Sequence, residues 1–473
     1  MALKKHKGAD KMRNEYKRSD LGVGMRGKYY EDYKESRNFA FLKPEVAKAF
    51  PTEEAVNDAL LSLIRVAQAS VSPEPLKGEN NMKEAVIVSA TRTPLGSFNG
   101  SLTRIGATDL GAIVINEAIE RAGIKKETVD EVIMGQVLPC GYGQNPAKQA
   151  AIKAGMPAEA ECFTLNKVCG SSLKAIMLGA QAIQTGDADV VVAGGMENMS
   201  AAPYYLEKAR FGYRMGPGKI QDHMLHDGLW DIVNDFHMGI SNELCSEKYN
   251  ITREAQDRYA AESYRRALAA IESGKFKDEI VPVSIPSRKG APVMFDTDEC
   301  PRDTNYEALS KMKAAFQKDG LGTAGNASVI SDGAAAMVLM SKEKAVELGC
   351  DILATIGAQA SHGIDLKYVL VAPILAIPKC LKKEGITKED VDLFEVNEAF
   401  SGSTAAVLQE LDLDHSKVNV NGGVVSLGHP IGTSGCRVLV TLLHEMIRQD
   451  KKTGLASLCL GGGEAVALVI KRG

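Results

Sequence analysis

The sequence contains no apolar run long enough to cross a membrane, and no apolar segment follows its basic first twenty residues. A spanning helix needs about 20 consecutive apolar residues, so a membrane protein is not expected. Asp10, Glu15 and Asp20 interrupt the basic stretch, which argues against a secretory signal peptide and against a mitochondrial transit peptide. The net charge of −4 gives no indication of binding to nucleic acid or membrane surfaces. These absences predict a cytoplasmic protein.

Cysteine pairs with the spacing of metal sites are also missing. The nine cysteines are scattered without any CxxC motif, and their odd number fits a set of disulfides poorly. A reducing compartment is therefore expected. His223 and His226 have i, i+3 spacing, but no third ligand lies near them in the sequence, so we expect no metal site. No permanently bound cofactor is predicted.

Residues 1–81 differ from the remainder of the chain. The first 28 residues contain nine Lys or Arg against three Asp or Glu. A candidate strand follows at Asn38–Lys43, and Thr52 is a typical N-cap for a helix with apolar residues at helical spacing. Residues 71–81 are polar and contain Pro and Gly, which is typical of a linker. We therefore predict a small α+β module over residues 1–70.

From Met82 onward, short apolar segments alternate with helical patterns. This alternation predicts an α/β fold in which helices cover both faces of a sheet. The predicted strands are Ala85–Ala90, Val132–Val137 and Val190–Ala193, and the predicted helices are Ala107–Ala122, Leu173–Ile183 and Arg253–Ser273.

The second unit contains an internal repeat. The matching pairs are residues 122–130 (AGIKKETVD) with 384–392 (EGITKEDVD), and residues 187–197 (DADVVVAGGME) with 454–464 (GLASLCLGGGE). Such similarity indicates two related α/β halves that pack together, which we assign to residues 82–350 and 351–473. The first half includes a glycine-rich, irregular insert at about 200–320, where we expect substrate or oligomer contacts.

Cys169 is the first candidate catalytic residue. It precedes Gly170, Ser171 and the predicted helix at Leu173–Ile183. Backbone N–H groups and the positive end of the dipole at a helix N-terminus favour an anion, so we expect thiolate to be favoured over thiol. A glycine-bracketed His429 and a second cysteine, Cys459, complete the parts needed for thiol-based acyl transfer.

Together with Cys169, His429 and Cys459, several motifs along the chain make residues 82–473 resemble the thiolase family. The resemblance is more narrowly to the acetoacetyl-CoA thiolases of that family. The motifs are Ser89–Pro94, Gly195–Ser200, Thr323–Ser328, Val396–Phe400 and Asn421–Gly423. The resemblance implies duplicated α/β halves with layered sheets and helices. It also implies reversible condensation of two acetyl-CoA molecules to acetoacetyl-CoA and CoA, in fatty acid metabolism, by a homodimer or homotetramer.

The resemblance implies a role for each catalytic residue. Cys169 would carry the acyl group, His429 would take its proton, and Cys459 would abstract the α-proton of the second acetyl-CoA. His429 and a water held by Asn397 would form one oxyanion hole, and the backbone N–H groups of Cys169 and Gly461 would form the other.

Contacts with coenzyme A are also implied by resemblance. Ser328 matches a serine near the pantetheine chain, and Arg302 matches an arginine that packs on the adenine end. His237 and Met238 match a segment that lines the pantetheine tunnel, and Ala324 belongs to the motif that contains Ser328.

Three alternatives remain open at the level of sequence. The stretch Val369–Ala372 departs from the Met-Gly-x-Gly of short-chain thiolases, so a degradative 3-oxoacyl-CoA thiolase of broader chain length is the enzymatic rival. The second alternative is a non-catalytic scaffold that serves the N-terminal module. The presence of all four catalytic side chains argues against it: Cys169, Asn397, His429 and Cys459. Residues 1–81 resemble small bacterial antitoxin-like proteins, which implies protein or DNA binding; an appended tail is the alternative there.

Overall fold

The computed structural model describes residues 43–71, 82–287 and 290–473. The chain divides into two units, Met1–Asn81 and Met82–Gly473. Within the described residues, no helix is long and apolar enough to span a membrane.

The described part of the first unit consists of two helices, α1 (Pro44–Ala49) and α2 (Glu53–Val71). The Thr52 side chain accepts a hydrogen bond from the backbone N–H of Ala55 at 3.2 Å, so the predicted N-cap is confirmed. Pro44 occupies the first helical position, where proline needs no hydrogen-bond partner. Most of the predicted strand Asn38–Lys43 lies outside the described residues.

The second unit is α/β. Its strands are β1 Ala85–Arg92, β2 Gly96–Ser97, β3 Glu131–Gly135, β4 Glu161–Leu165, β5 Val190–Asn198, β6 Tyr204–Tyr205, β7 Gln221–Asp222, β8 Trp230–Asp231, β9 Phe236–His237, β10 Val283–Ile285, β11 Val293–Phe295, β12 Ser331–Ser341, β13 Ala354–Gly363, β14 Leu393–Val396, β15 Thr453–Leu460 and β16 Glu464–Lys471. Its helices are α3 Ala107–Arg121, α4 Pro146–Lys153, α5 Ser171–Thr185, α6 Met238–Lys248, α7 Arg253–Glu272, α8 Tyr306–Leu309, α9 Lys342–Leu348, α10 Pro373–Glu384, α11 Ser401–Leu411, α12 Val424–Leu427 and α13 Ser434–Arg448.

One ten-stranded sheet runs through both halves in the order β14-β15-β16-β13-β1-β12-β5-β3-β4, with β2 paired to β12. The order β3-β5-β12-β1 of the first half mirrors β14-β15-β16-β13 of the second. The halves join where β1 and β13 pair antiparallel, with Val86 opposite Thr355 and Ile87 opposite Ala354. The internal repeat in the sequence therefore corresponds to a repeated strand order.

Alternation along the strands divides the apolar core into layers. Ile87 of β1 and Leu468 of β16 face a central core, which they share with Leu173 of α5 and Leu439 of α13. The residues next to them along each strand face the opposite side of the sheet. The neighbours of Ile87 in β1 pack on α3 and α4, and the neighbours of Leu468 in β16 pack on α10. Because side chains alternate across a strand, each strand serves two cores. Helices α5 and α13, which begin beside Cys169 and His429, therefore lie between the two halves.

The insert at about 200–320 contains more regular structure than its composition predicts. It holds helices α6, α7 and α8 and three two-stranded sheets, β6–β7, β8–β9 and β10–β11. The predicted helix Arg253–Ser273 is confirmed as Arg253–Glu272, with the Thr252 side chain capping it at Ala255. It ends one residue earlier than predicted.

Removal of residues 1–81 should leave the second unit folded, because among the described residues its apolar cores consist of residues after Met82. We expect the melting temperature of residues 82–473, followed by circular dichroism, to stay within about 2 °C of the corresponding transition of the full chain. Loss of the cooperative transition would show that the first unit completes a core of the second.

Candidate active site

Cys169 lies in the loop between β4 and α5, with helix α5 beginning two residues later at Ser171. The Ser171 hydroxyl accepts from the Lys167 N–H at 2.8 Å and donates to the Val168 carbonyl at 2.6 Å, which closes the turn around the cysteine. Val168 has φ +46°, a backbone conformation that is costly for a β-branched residue. The loop is thus held in a strained conformation next to the sulfur.

His429 lies in the loop between α12 and α13, and its side chain is buried. Gly428 has φ +108°, and a Cβ there would come within 2.6 Å of the Ser331 hydroxyl, so this loop requires glycine. The Nδ1 atom of His429 is 2.6 Å from the Ser434 hydroxyl, whereas Nε2 has no hydrogen-bond partner. That nitrogen is therefore free to act on a group in the site.

Glu197 anchors the loop that contains His429 to the first half of the sheet. Its buried carboxylate accepts backbone N–H groups of Val137 at 2.9 Å, Leu138 at 3.2 Å and Gly432 at 2.9 Å. Burial raises the pKa of Glu197 to about 7, and the three donors oppose that rise. The predicted strand Val132–Val137 ends at Gly135 instead, and Val137 donates to this carboxylate. Glu197 lies in the motif Gly195–Ser200, but the sequence did not indicate that it anchors a loop from the other half.

Cys459 lies near the end of β15, just before a turn at residues 461–463 that leads into β16. Gly462 and Gly463 have φ +90° and +82°, which allows the chain to reverse immediately. In the repeat, Gly461 and Gly462 of this turn match Gly194 and Gly195, which remain inside β5. The two glycine pairs therefore have different structural roles, and the tight turn keeps Cys459 at the end of its strand.

Asn397 follows β14, and its backbone N–H donates to the Ser457 carbonyl at 3.0 Å. Its side chain is buried, yet neither the amide oxygen nor the amide nitrogen has a hydrogen-bond partner. Buried polar atoms are nearly always paired, so an Asn of this kind points to a ligand or a bound water.

A cavity of about 760 Å³, including its open part, brings most of these residues together. The predicted catalytic residues Cys169, His429, Cys459 and Gly461 and the predicted contacts Ser328, His237 and Met238 all line it. Its remaining lining residues are mostly apolar and were not among the predicted site residues: Gly228, Leu229, Phe316, Ala327, Ile330, Leu370, Ala399, Phe400, Ile431 and Leu460.

Arg302 and Ala324 do not line the cavity. Both are exposed, and the Arg302 guanidinium donates to the Ala324 carbonyl at 3.3 Å and lies 5.2 Å from the centre of the Tyr264 ring. They belong to the surface beyond Ser328, which lies four residues after Ala324.

Desolvation controls the charge state of the three titratable groups. Burial raises the pKa of Cys169 to about 11, although the backbone N–H groups of Gly461 and of Cys169 itself act in the opposite direction. Burial, with the positive charge of Arg437, lowers the pKa of His429 to about 3. Burial also raises the pKa of Cys459 well above its usual range. The prediction that thiolate is favoured is therefore wrong for the free protein: the resting pair is a neutral thiol and a neutral imidazole.

The paired histidines His223 and His226 both contact the Asp227 carboxylate. Among the residues that the structure describes, no group of three or more His, Cys, Asp or Glu side chains could hold a metal ion.

Known proteins of similar sequence and structure match most of residues 82–473. Sequence models of the thiolase N-terminal domain and the thiolase C-terminal domain match residues 85–343 and 350–472. An acetyl-CoA acetyltransferase of Pseudomonas aeruginosa is 58% identical over 392 residues, which are 83% of this chain and 100% of that protein. One of Cupriavidus necator is 57% identical over the same shares of the two chains. The crystal structure of the Bacillus anthracis acetyl-CoA acetyltransferase is 46% identical, with a TM-score of 0.82 over 83% of this chain and 100% of that one.

The neutral resting pair predicts a pH dependence. Because the pKa of Cys169 is raised, its alkylation by iodoacetamide in the free protein should accelerate roughly tenfold per pH unit between about pH 7 and about pH 9. Buried Cys459 should react much more slowly. Peptide mapping by mass spectrometry measures both rates. A rate for Cys169 that is already constant at neutral pH would indicate a thiolate–imidazolium pair instead.

Proposed function

The chain belongs to the thiolase family of acyltransferases, and from this premise we propose that it condenses two acetyl-CoA molecules to acetoacetyl-CoA and CoA, reversibly. The cavity shared by Cys169, His429 and Cys459 is the observation that carries the proposal. The similar proteins from Pseudomonas aeruginosa and Cupriavidus necator are acetyl-CoA acetyltransferases, which supports acetyl as the preferred acyl group.

The first half-reaction forms an acetyl thioester on Cys169. The unpartnered Nε2 of His429 takes the thiol proton, and the sulfur attacks the thioester carbonyl carbon of acetyl-CoA. The bond to the CoA sulfur breaks, and the leaving thiolate takes a proton from Cys459. The result is acetyl-Cys169, CoA, an imidazolium at His429 and a thiolate at Cys459, so charge and protons balance.

The second half-reaction uses that thiolate as the base. Cys459 removes a proton from the α-carbon of a second acetyl-CoA, and the resulting enolate carbon attacks the acetyl carbonyl. The Cys169 sulfur leaves and recovers its proton from His429. Burial makes the Cys459 thiolate a strong base, which matches a weakly acidic carbon.

Two sets of donors support the developing oxyanions. The backbone N–H groups of Cys169 and Gly461 already interact with the Cys169 sulfur, so they are close to the carbonyl oxygen of a bound acetyl group. The unpartnered Asn397 amide suits a bound water, which would act with the protonated Nε2 of His429 on the enolate oxygen. Such donors are effective because the apolar lining of the cavity excludes other solvent.

Coenzyme A would enter along Ser328, His237 and Met238, which line the cavity. His237 stacks on Phe316 with ring centres 5.1 Å apart, and its Nδ1 accepts from the Gly239 N–H. Arg302 and Ala324 lie outside the cavity and would contact the nucleotide end.

The oligomeric state and the location of the protein belong to the same proposal. Phe211, Met215 and Val233 of the insert are 85%, 98% and 78% exposed, which is typical of a surface that a second copy covers. We therefore propose that the protein forms a homodimer or a homotetramer. The nine free cysteines favour a reducing, cytoplasmic location.

Incubation with acetyl-CoA alone should acetylate Cys169, as measured by peptide mapping. Cys459→Ser should still form acetyl-Cys169 from a reactive thioester donor but lose most condensation activity. A serine hydroxyl is a far weaker acid than a thiol, so it would not supply the anionic base that removes the α-proton. Cys380→Ser is the matched control: Cys380 is buried, donates to the Ala358 carbonyl at 3.1 Å and does not line the cavity. Acetyl found on Cys459 instead of Cys169 would contradict the assignment.

Leu370 should restrict acyl-chain length. Leu370 lies in the short 3₁₀ helix Leu366–Val371 and lines the cavity. The next residue, Val371, is buried and does not line the cavity. One methylene is worth roughly 1–3 kcal/mol in such a pocket, so we expect thiolysis of acetoacetyl-CoA to exceed that of 3-oxohexanoyl-CoA by about tenfold in kcat/KM. Leu370→Ala should narrow that ratio.

Val371→Ala is the control for lost apolar burial, since it should leave the ratio unchanged. Wild-type activity that rises with chain length would reject the short-chain assignment in favour of a broader 3-oxoacyl-CoA thiolase.

A further inference from the structure

Ser434 makes the one side-chain hydrogen bond recorded for His429 within residues 82–287 and 290–473. Its hydroxyl oxygen is 2.6 Å from His429 Nδ1 and 3.0 Å from the Pro430 carbonyl oxygen. Both side chains are buried, so no bulk solvent competes for either contact. Ser434 is also the first residue of helix α13, which fixes its backbone position relative to the histidine loop.

The proton count of these contacts selects one tautomer. The Pro430 carbonyl can only accept, so the contact at 3.0 Å is a hydrogen bond only if the Ser434 hydroxyl donates to it. The same hydroxyl has a single proton and must then accept from His429, so the proton of the neutral imidazole is on Nδ1. The opposite tautomer would leave two oxygens facing each other without a proton between them. Nε2 is consequently a bare lone pair, and it is the atom without a partner.

We propose that Ser434 is a positioning residue that holds His429 in the Nδ1–H tautomer, so that Nε2 can accept the Cys169 proton. This inference rests on the proposed function, because it assigns a purpose to Nε2 in the acyl-transfer reaction. A neutral thiol cannot transfer its proton to an imidazole whose Nε2 already carries one. The tautomer therefore decides whether the histidine is a base in the resting protein.

A hydroxyl partner differs from the carboxylate that orients histidine in many hydrolases. A carboxylate would orient the ring and also stabilise the imidazolium electrostatically. Ser434 is neutral, and within the described residues no acidic side chain hydrogen-bonds to His429. The histidine is therefore oriented without the additional rise in basicity that a negative charge would give it.

The neighbouring residue offers a matched control. The Thr433 hydroxyl is also buried and donates to the Gly333 carbonyl at 2.8 Å, without contacting His429. Removing either hydroxyl deletes one buried hydrogen-bonding group from the same loop. Ser434→Ala should fold, because the Pro430 carbonyl still accepts the backbone N–H groups of Thr433 and Ser434. Ser434→Thr retains the hydroxyl.

The test reads the tautomer directly. Long-range ¹H–¹⁵N correlation spectra of the full chain with ¹⁵N-labelled histidine distinguish protonated from unprotonated ring nitrogens, and His429→Gln assigns the resonances. We expect a protonated Nδ1 and a bare Nε2 in the wild type, Thr433→Ala and Ser434→Thr, and a mixture of tautomers in Ser434→Ala. A protonated Nε2 in the neutral wild-type imidazole, or an unchanged pattern in Ser434→Ala, would overturn the proposal.

Single-turnover acetylation of Cys169 supplies the second readout. Ser434→Ala should slow it by about 10- to 100-fold, by analogy with the loss of groups that orient metal-ligating histidines, with recovery in Ser434→Thr and little change in Thr433→Ala. An equal loss in Ser434→Ala and Thr433→Ala would reduce Ser434 to a structural role and overturn the inference. Wild-type protein that shows the expected tautomer but never acquires acetyl at Cys169 would instead overturn the proposed function.

Discussion

Desolvation of the catalytic groups is the constraint on which the site depends. Cys169, His429 and Cys459 face one mostly apolar cavity, and burial disfavours the charged form of each. An ion pair in the resting site would have to overcome that cost before substrate binds. The neutral state avoids it, and charge develops only when a thioester brings a carbonyl oxygen to the N–H groups of Cys169 and Gly461. The same apolar lining then strengthens those hydrogen bonds.

The fold brings these groups together by joining two similar halves. Cys169 precedes a helix of the first half and His429 precedes a helix of the second, and both helices contribute to the central core. Glu197 then ties the histidine loop to the first half through the Gly432 N–H. Buried carboxylates with three backbone donors are costly to disturb. The relative position of sulfur and imidazole therefore depends on a contact between the halves, rather than on either loop alone.

Sequence patterns predicted the parts of the site that have local causes. A cysteine before a helix, a histidine between glycines and a cysteine before three glycines are visible within short segments, and these residues line one cavity. Sequence patterns gave a wrong prediction where residues distant in the sequence determine the environment of a side chain. The helix N-terminus beside Cys169 predicted a thiolate, but burial by residues from both halves outweighs the local dipole. Nothing near Phe316 in the sequence indicates that its ring lines the site.

The sequence by itself determined the α/β alternation, the repeat, the N-cap at Thr52 and the residue types of the chemistry, because each depends on neighbours within a few turns of chain. Tertiary structure alone decided which charge states those residues have and which groups orient them. The matched pairs Gly194–Gly195 and Gly461–Gly462 illustrate the difference: the same two residues continue a strand in one half and reverse the chain in the other. Packing against distant backbone distinguishes these outcomes, since a Cβ at Gly195 would clash with the Gly432 carbonyl oxygen whereas one at the matching Gly462 would have open space. Solvent exclusion is likewise a property of the assembled cavity, so no local pattern encodes the pKa of Cys169 or His429.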